Sequence, residues 1–287
     1  MYLIGAIAGD VIGSVYEWNN AKKKEDVEFF KKGCKFTDDT VLTCAVANWL
    51  MERSELTGDS EDLFEHRILI KNLKNFAKKY PYAGYGGMFR KWFQGNEQVP
   101  MNSFGNGAGM RCSAIGYFCG SINGINLWAK ASAEVTHNHP EGVKGAQAIA
   151  SCVWMASHGL SKEEIKDEIT EEYGYDLNKG LNEIGQYVHK FDATCQVTVP
   201  EAIIAFLNSE SYEDAIEKAI LVGGDSDTIA CMTGAIAGAY YGVPDYIVRE
   251  AMSYLPADLI EVVVKFENFI NKQRYIKEET EHGESEA

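Results

Sequence analysis

Twice in this chain an acidic pair stands at the opening of an apolar run. Gly223-Gly224-Asp225-Ser226-Asp227-Thr228 leads into Ile229–Tyr241, a small-residue segment that reads as a buried helix. Phe36-Thr37-Asp38-Asp39-Thr40 leads into a second helix, whose Val41, Leu42, Ala45, Val46, Trp49 and Leu50 recur at helical spacing. The N-terminus of a helix favours negative charge through its dipole and its free N–H groups, and capping accounts for one carboxylate at each end. The second carboxylate adds repulsion. If the two ends face each other, four carboxylates share one pocket, which must take up protons, stay open to water or hold cations. Hard divalent cations with oxygen ligands resolve the conflict. The fold is therefore expected to bring the two helix starts together around a metal pocket.

The rest of the chain supplies helices to build such a pocket. Residues 2–18 contain small Gly5, Ala6, Ala8, Gly9, Gly13 and Ser14, which permit close helix contact. Gly5-Ala6-Ile7-Ala8-Gly9 is echoed by Gly234-Ala235-Ile236-Ala237-Gly238, a hint that the first helix packs tightly on a late one. Asp10 and Glu17 are seven residues apart and would share one face of a helix, with Glu17 the better candidate to point into the acidic pocket. A Lys-rich surface connection follows at 20–35. Further helices are read at 61–79, 124–136, 140–158, 161–174, 177–190, 199–207, 215–222, 244–254 and 256–272. Ser161 to Glu164 and Ser211 to Asp214 have the form of capping boxes, and Pro140 sits at a natural first helical position. Between these, Tyr80–Gly109 is long, aromatic and Gly-rich. Long irregular segments in compact chains are more often functional than filler. Its three glycines at 105, 107 and 109 precede an apolar segment and could present backbone N–H groups to a phosphate. His137 and His139 do not share a helical face and have no third partner for zinc, so a capping or ligand-bonding role is expected.

Composition closes off several classes. A formal charge of −15 disfavours binding to nucleic-acid backbone or anionic membrane. No run is long and apolar enough to span a bilayer. The seven cysteines are scattered through apolar segments without a C-x-x-C pair, as reduced core thiols of a cytoplasmic protein would be. Six prolines and few alternating stretches point to a mostly helical chain. No linker divides it. One domain is expected over 1–272, with an acidic, disordered tail over 273–287.

Five motifs in order, Gly-Asp-x-x-Gly-x-x-x-Glu (9–17), Phe-Thr-Asp-Asp-Thr (36–40), Gly-Asn-Gly-Ala-x-Met-Arg (105–111), Thr-His-x-His-Pro (136–140) and Gly-Gly-Asp-Ser-Asp-Thr (223–228), closely resemble the ADP-ribosylglycohydrolase family. The resemblance implies an all-α, single compact orthogonal helical bundle with two Mg²⁺ or Mn²⁺ ions at its centre. It implies hydrolysis of the bond between ADP-ribose and a modified group, most often protein arginine, with an ADP-ribosylated protein or other ADP-ribosylated target as partner; the enzyme is expected to be a monomer. Carried onto this sequence, Thr37, Asp38 and Asp39 match one metal-ligand turn, and Asp225, Asp227 and Thr228 the other. Glu17 matches a glutamate near the scissile bond, so Glu17, Asp38 and Asp227 are the expected catalytic groups. Gly105, Asn106, Gly107, Ala108 and Met110 match the loop around the diphosphate and distal ribose. Phe104 stands where relatives place an aromatic against adenine, and His137 where they place a histidine against ADP-ribose. In 94–103, where some relatives carry an aspartate proposed as a base, the one acid here is Glu97, which leaves the base open. Two rivals are a metal-dependent nucleotide pyrophosphohydrolase, disfavoured because the pocket acids lack helical E-x-x-E spacing, and a non-catalytic ADP-ribose-binding module, disfavoured because both acidic turns are intact.

Overall fold

A computed structural model describes residues 1–54, 66–96, 98–185 and 191–285, with side chains through 275. Thirteen α-helices and three single-turn 3-10 helices make up the ordered elements among these residues, and no strand occurs among them. In chain order the α-helices are α1 (Ile4–Gly13), α2 (Asp38–Ser54), α3 (His66–Lys79), α4 (Gly87–Gln94), α5 (Ser113–Phe118), α6 (Ile122–Glu134), α7 (Pro140–Ser157), α8 (Lys162–Tyr173), α9 (Cys195–Leu207), α10 (Tyr212–Val222), α11 (Ser226–Tyr241), α12 (Asp245–Ser253) and α13 (Ala257–Ser285). The chain is all-α.

Helix α11 is the axis of the bundle. It is buried from Ser226 to Ala237 and packs against α1, α7, α9 and α10. A helix covered on so many sides must be apolar all round, which is why it shows no polar stripe in the sequence. Its closest partner is α1, which runs antiparallel to it. The two backbones touch: a Cβ added at Gly9 would lie 2.0 Å from the Ala230 carbonyl oxygen, and one at Gly5 2.4 Å from that of Gly234. The repeated small-residue segments at 5–9 and 234–238 are thus two sides of one contact. At its far end Gly13 abuts the Asp227 backbone, with a Cβ there 2.6 Å from the Asp227 Cα. The tight seam therefore fixes the second acidic turn against the end of α1.

Helix starts follow the local chemistry. Ser161 and Glu164 form a reciprocal capping box, Ser211 accepts from the Asp214 N–H, and Pro140 opens α7 behind a His139 cap. Two expectations need correction. Helix α1 ends at Gly13, so Glu17 lies in the turn beyond it and does not share a helical face with Asp10. Within 177–190, the described residues hold only a 3-10 turn at Leu181–Glu183. There Asp176 accepts from the Asn178 N–H, Glu183 accepts from the Gly180 N–H, and Gly185 takes φ +91°; local side-chain bonds and glycine compete with the helix. At the other end of the chain α13 is helical to Ser285. The expected helical residues 61–65, Glu97 and 186–190 lie outside the described residues.

Candidate metal and ligand site

The first acidic turn is organised by a residue outside it. Asp10, wholly buried on α1, accepts from the Thr37 N–H (2.9 Å), the Thr37 hydroxyl (2.7 Å), the Thr40 N–H (3.1 Å) and the Thr40 hydroxyl. It thereby caps the start of α2 from another helix, satisfying N–H groups that the turn leaves open. Asp38 and Asp39 are left to face elsewhere. The Asp38 N–H donates to the Ala83 carbonyl at 2.7 Å, tying the turn to the Gly-rich tract. Asp39 Oδ2 lies 3.0 Å from the Thr37 hydroxyl and 3.3 Å from that of Thr228, while its Oδ1 is buried with no hydrogen-bond partner among the described residues.

The second turn is made by Gly223 and Gly224, whose φ values of +76° and +71° bend the chain as L side chains rarely can. Asn20 donates to the Gly224 carbonyl at 3.2 Å and holds the turn against the Glu17 segment. Asp225 accepts from the Asn106 amide at 2.7 Å, and Asp227 from the Thr228 N–H at 3.0 Å. Asn106 thus links the Gly-Asn-Gly loop to this turn.

The two turns meet. Carboxylate oxygens of Asp10, Asp39 and Asp227 lie within 4.8 Å of one another, as do those of Glu17, Asp225 and Asp227. Asp227 belongs to both groups. Asp38 is in neither but lines the same cavity beside Gly84. Burial dominates the electrostatics. It raises Asp10 to about 6 against its four hydrogen bonds, and raises Asp38 to about 8 with help from the Asp10 charge. Asp39 and Asp227 are pushed well above the usual carboxylate range, first by burial and then by neighbouring carboxylates. Asp225 and half-buried Glu17 are also raised, again chiefly by burial. Without cations, burial and mutual repulsion favour the protonated over the ionised carboxyls in this cluster. The donors are carboxylates and threonine hydroxyls, one with an orphaned buried oxygen, a set that fits hard divalent cations.

A cavity of ≈ 510 Å³ opens over these groups, a volume usual for a small-molecule site. Its wall includes Glu17, Thr37, Asp38, Asp39, Asp225, Asp227, Thr228, Gly105, Asn106, Gly107, Met110 and His137. Two expected residues are absent from it. Ala108 is buried behind the loop. Phe104, 45% exposed, meets His139 edge-on at 5.2 Å instead, while Ser103 and Gly105 on either side line the cavity. The loop is pinned to the segment before α9: Asn106 N–H donates to the Ala193 carbonyl (2.8 Å) and Cys195 N–H to the Phe104 carbonyl (2.9 Å). The Gly105 N–H is engaged by the Ser103 hydroxyl at 3.2 Å. The N–H of Gly105, one of the three glycines expected to face a phosphate, is thus used within the protein, as is that of Asn106 beside it.

Three features escaped the sequence. The capping role of Asp10 had a signal in the threonines flanking the acid pair, whose hydroxyls need an acceptor. Arg111, the last residue of the Gly-Asn-Gly motif, is wholly buried and adjoins the cavity. Trp18, 81% exposed, stacks on Phe191 at 5.5 Å and 16° on the cavity rim next to Glu17. No periodicity marks that pair, because neither residue is on a helix.

Comparison with known proteins gives one consistent result. A family model described as ADP-ribosylglycohydrolase matches residues 1–275. ADP-ribosylhydrolase ARH3 of Gallus gallus is 27% identical, over 84% of this chain and 84% of its own length. ADP-ribosyl-[dinitrogen reductase] glycohydrolase of Rhodospirillum rubrum is 24% identical, over 74% of this chain and 70% of its own. A solved structure titled ADP-ribosylglycohydrolase-related protein complex superposes with a TM-score of 0.64 at 19% identity, covering 88% of this chain and 94% of that one.

Proposed function

This chain belongs to the ADP-ribosylglycohydrolase family, and from that premise we propose that it removes ADP-ribose from modified arginine on protein, with two divalent cations, Mg²⁺ or Mn²⁺, in the acidic site. The observation that carries this reading is the convergence of Glu17 and both acidic helix starts on one cavity of ligand size. Asp38, Asp39, Asp225 and Asp227, with the hydroxyls of Thr37 and Thr228, would hold the cations. When bound, the cations supply positive charge to the distal-ribose hydroxyls and to a water.

The chain's own groups do the rest. The bond broken joins the anomeric carbon to the guanidinium nitrogen, through an oxocarbenium-like transition state, and the bonding electron pair leaves with that nitrogen. Water adds to the carbon. Glu17 takes its proton, a role suited to a carboxylate whose affinity for protons is raised and which keeps contact with solvent. Asn106, the loop glycines and His137 hold the ligand away from the reacting carbon, so that remote binding positions it. The stacked Trp18 and Phe191 rings beside Glu17 offer a flat apolar face to a planar guanidinium, which supports arginine as the leaving group. The protein would act in the cytoplasm as a monomer; among the described residues no helix is long and apolar enough to cross a membrane.

Mass-spectrometric product analysis tests this. Arginine-linked and serine-linked ADP-ribosyl peptides are incubated with Mg²⁺, with Mn²⁺ or with chelator. The expected result is intact ADP-ribose from the arginine-linked peptide, only with metal. Release from the serine-linked peptide alone would overturn the linkage. AMP formed from free ADP-ribose, with no release from either peptide, would overturn the reaction in favour of pyrophosphohydrolysis.

A further inference from the structure

The buried Arg111 takes no part in the proposed reaction, yet its placement is specific. One terminal nitrogen donates to the Ser132 carbonyl (2.6 Å) and to the Thr136 hydroxyl (3.0 Å). Its Nε and other terminal nitrogen are buried without a partner among the described residues. An uncompensated guanidinium in the interior is costly, and such a group calls for an explanation. The same Thr136 oxygen stands 2.7 Å from His137 Nδ1. Thr136 is itself wholly buried, and His137 nearly so.

Proton counting fixes the direction of this chain of hydrogen bonds. Arginine can only donate, so the Thr136 oxygen accepts from it. The hydroxyl has one proton, and the adjacent acceptor is His137 Nδ1. If Nδ1 carried a proton instead, the oxygen would face two donors and its own buried proton would go unpaired, which the interior penalises. With Nδ1 as acceptor, the ring proton of a neutral imidazole sits on Nε2. That atom lies against the Gly-rich loop: a Cβ at Gly107 would be 3.1 Å from it and one at Gly105 3.9 Å. His137 lines the cavity there. We propose that Arg111 is a positioning residue that, through the Thr136 hydroxyl, holds His137 neutral with its proton on Nε2, so that the cavity carries a fixed hydrogen-bond donor for an acceptor oxygen of the ligand. Burial and the Arg111 charge, which both press the His137 pKa well below its ordinary value, act in the same direction. The glycines at 105 and 107 leave that Nε2–H uncovered. Because two N–H groups of the loop are engaged by the protein, this donor takes on more of the recognition.

This inference rests on the proposed ADP-ribose reading only for the identity of the ligand. The test is therefore in two parts. Long-range ¹H–¹⁵N NMR of the full-length protein, labelled at histidine and without ligand, reads the tautomer directly. The wild type is expected to show a protonated Nε2 and an unprotonated, hydrogen-bonded Nδ1 near neutral pH. Thr136→Val, close in shape, and Arg111→Met should each give mixed tautomers; Thr136→Ser should restore the wild-type pattern. With ADP-ribosyl peptide, Thr136→Val should raise KM about tenfold and leave kcat within a few-fold, as expected for loss of one hydrogen bond to a charged ligand. A wild-type spectrum with protonated Nδ1, or with both nitrogens protonated, overturns the proposal. So does an unchanged pattern in Thr136→Val, even if Arg111→Met fails to fold. Failure of the wild type to bind ADP-ribose would overturn the functional reading alone, since the spectrum needs no ligand.

Discussion

Replacing Asp10 with Asn keeps the side chain's shape but removes its charge and puts an amide nitrogen in place of one acceptor oxygen, best tolerated where that oxygen faces the Thr37 hydroxyl, which can accept as well as donate. Losing the charge-assisted character of these buried hydrogen bonds costs about 2 kcal/mol. The expected outcome is a urea midpoint lowered accordingly and a metal affinity weakened about tenfold, as for other groups that orient metal ligands. Equilibrium unfolding and calorimetric Mn²⁺ titration check it; Asp10→Glu should not rescue, because the longer chain has no room. Glu17 makes the opposite case. It stands in a turn, half-buried, and holds no element in place. Glu17→Gln should lower kcat about a hundredfold or more while ADP-ribose affinity changes within a few-fold, the split expected for a proton-transfer group. Equilibrium binding of ADP-ribose beside single-turnover kinetics decides; a collapse of affinity with turnover intact would make Glu17 a binding group.

At the level of elements, the seam between α1 and α11 does two jobs at two ends. Near Gly5 it is packing alone, whereas Gly13 touches the backbone of Asp227, a member of both carboxylate groups. Alanine at either site forces two backbones apart, at a cost of about 2 kcal/mol or more for overpacking. The expected consequences diverge. Gly5→Ala should lower the melting temperature and leave metal affinity of the folded protein near wild type. Gly13→Ala should lower both, and calorimetry on folded samples separates them. The seam was legible in the sequence, because two five-residue segments with the same glycine spacing have few other uses. The acidic turns were legible too, since carboxylates at apolar helix starts create a conflict visible without coordinates. The end of α1 was not: Ser14, Val15 and Tyr16 continue the apolar pattern, and only the tertiary bonds of the following turn show that the helix has stopped. The 177–190 segment misled for a related reason. Leu177 and Ile184 are buried at a helix-like spacing, but turn chemistry at Asn178, Gly180 and Gly185 sets the backbone.

For the whole molecule, the buried carboxylates make stability, pH and metal one linked problem. Asp38 has an ordinary pKa of 3.8 and is raised to about 8 in the folded protein, and Asp10 is raised to about 6. For a carboxylate so raised, the folded state holds the proton more tightly than the unfolded chain does. Its stabilising contribution is full below the unfolded pKa and is lost as pH rises through the folded one. The metal-free protein should therefore lose stability as pH is raised from about 4 to about 8, as charges that the interior cannot solvate are exposed to one another. Cations reverse the sign of this problem: they favour the deprotonated form, so binding releases protons and tightens with rising pH. Thermal melts in chelator should show a melting temperature that falls across this range. Melts in excess Mg²⁺ or Mn²⁺ should be flat or rising over the same range, with the gap widest near pH 8. Calorimetric titrations in buffers of different ionisation enthalpy should detect the released protons. If the melting temperature in chelator rose steadily from pH 4 to 8, the protein itself would be stabilising the carboxylates as anions, and the pocket would have no electrostatic need of a metal.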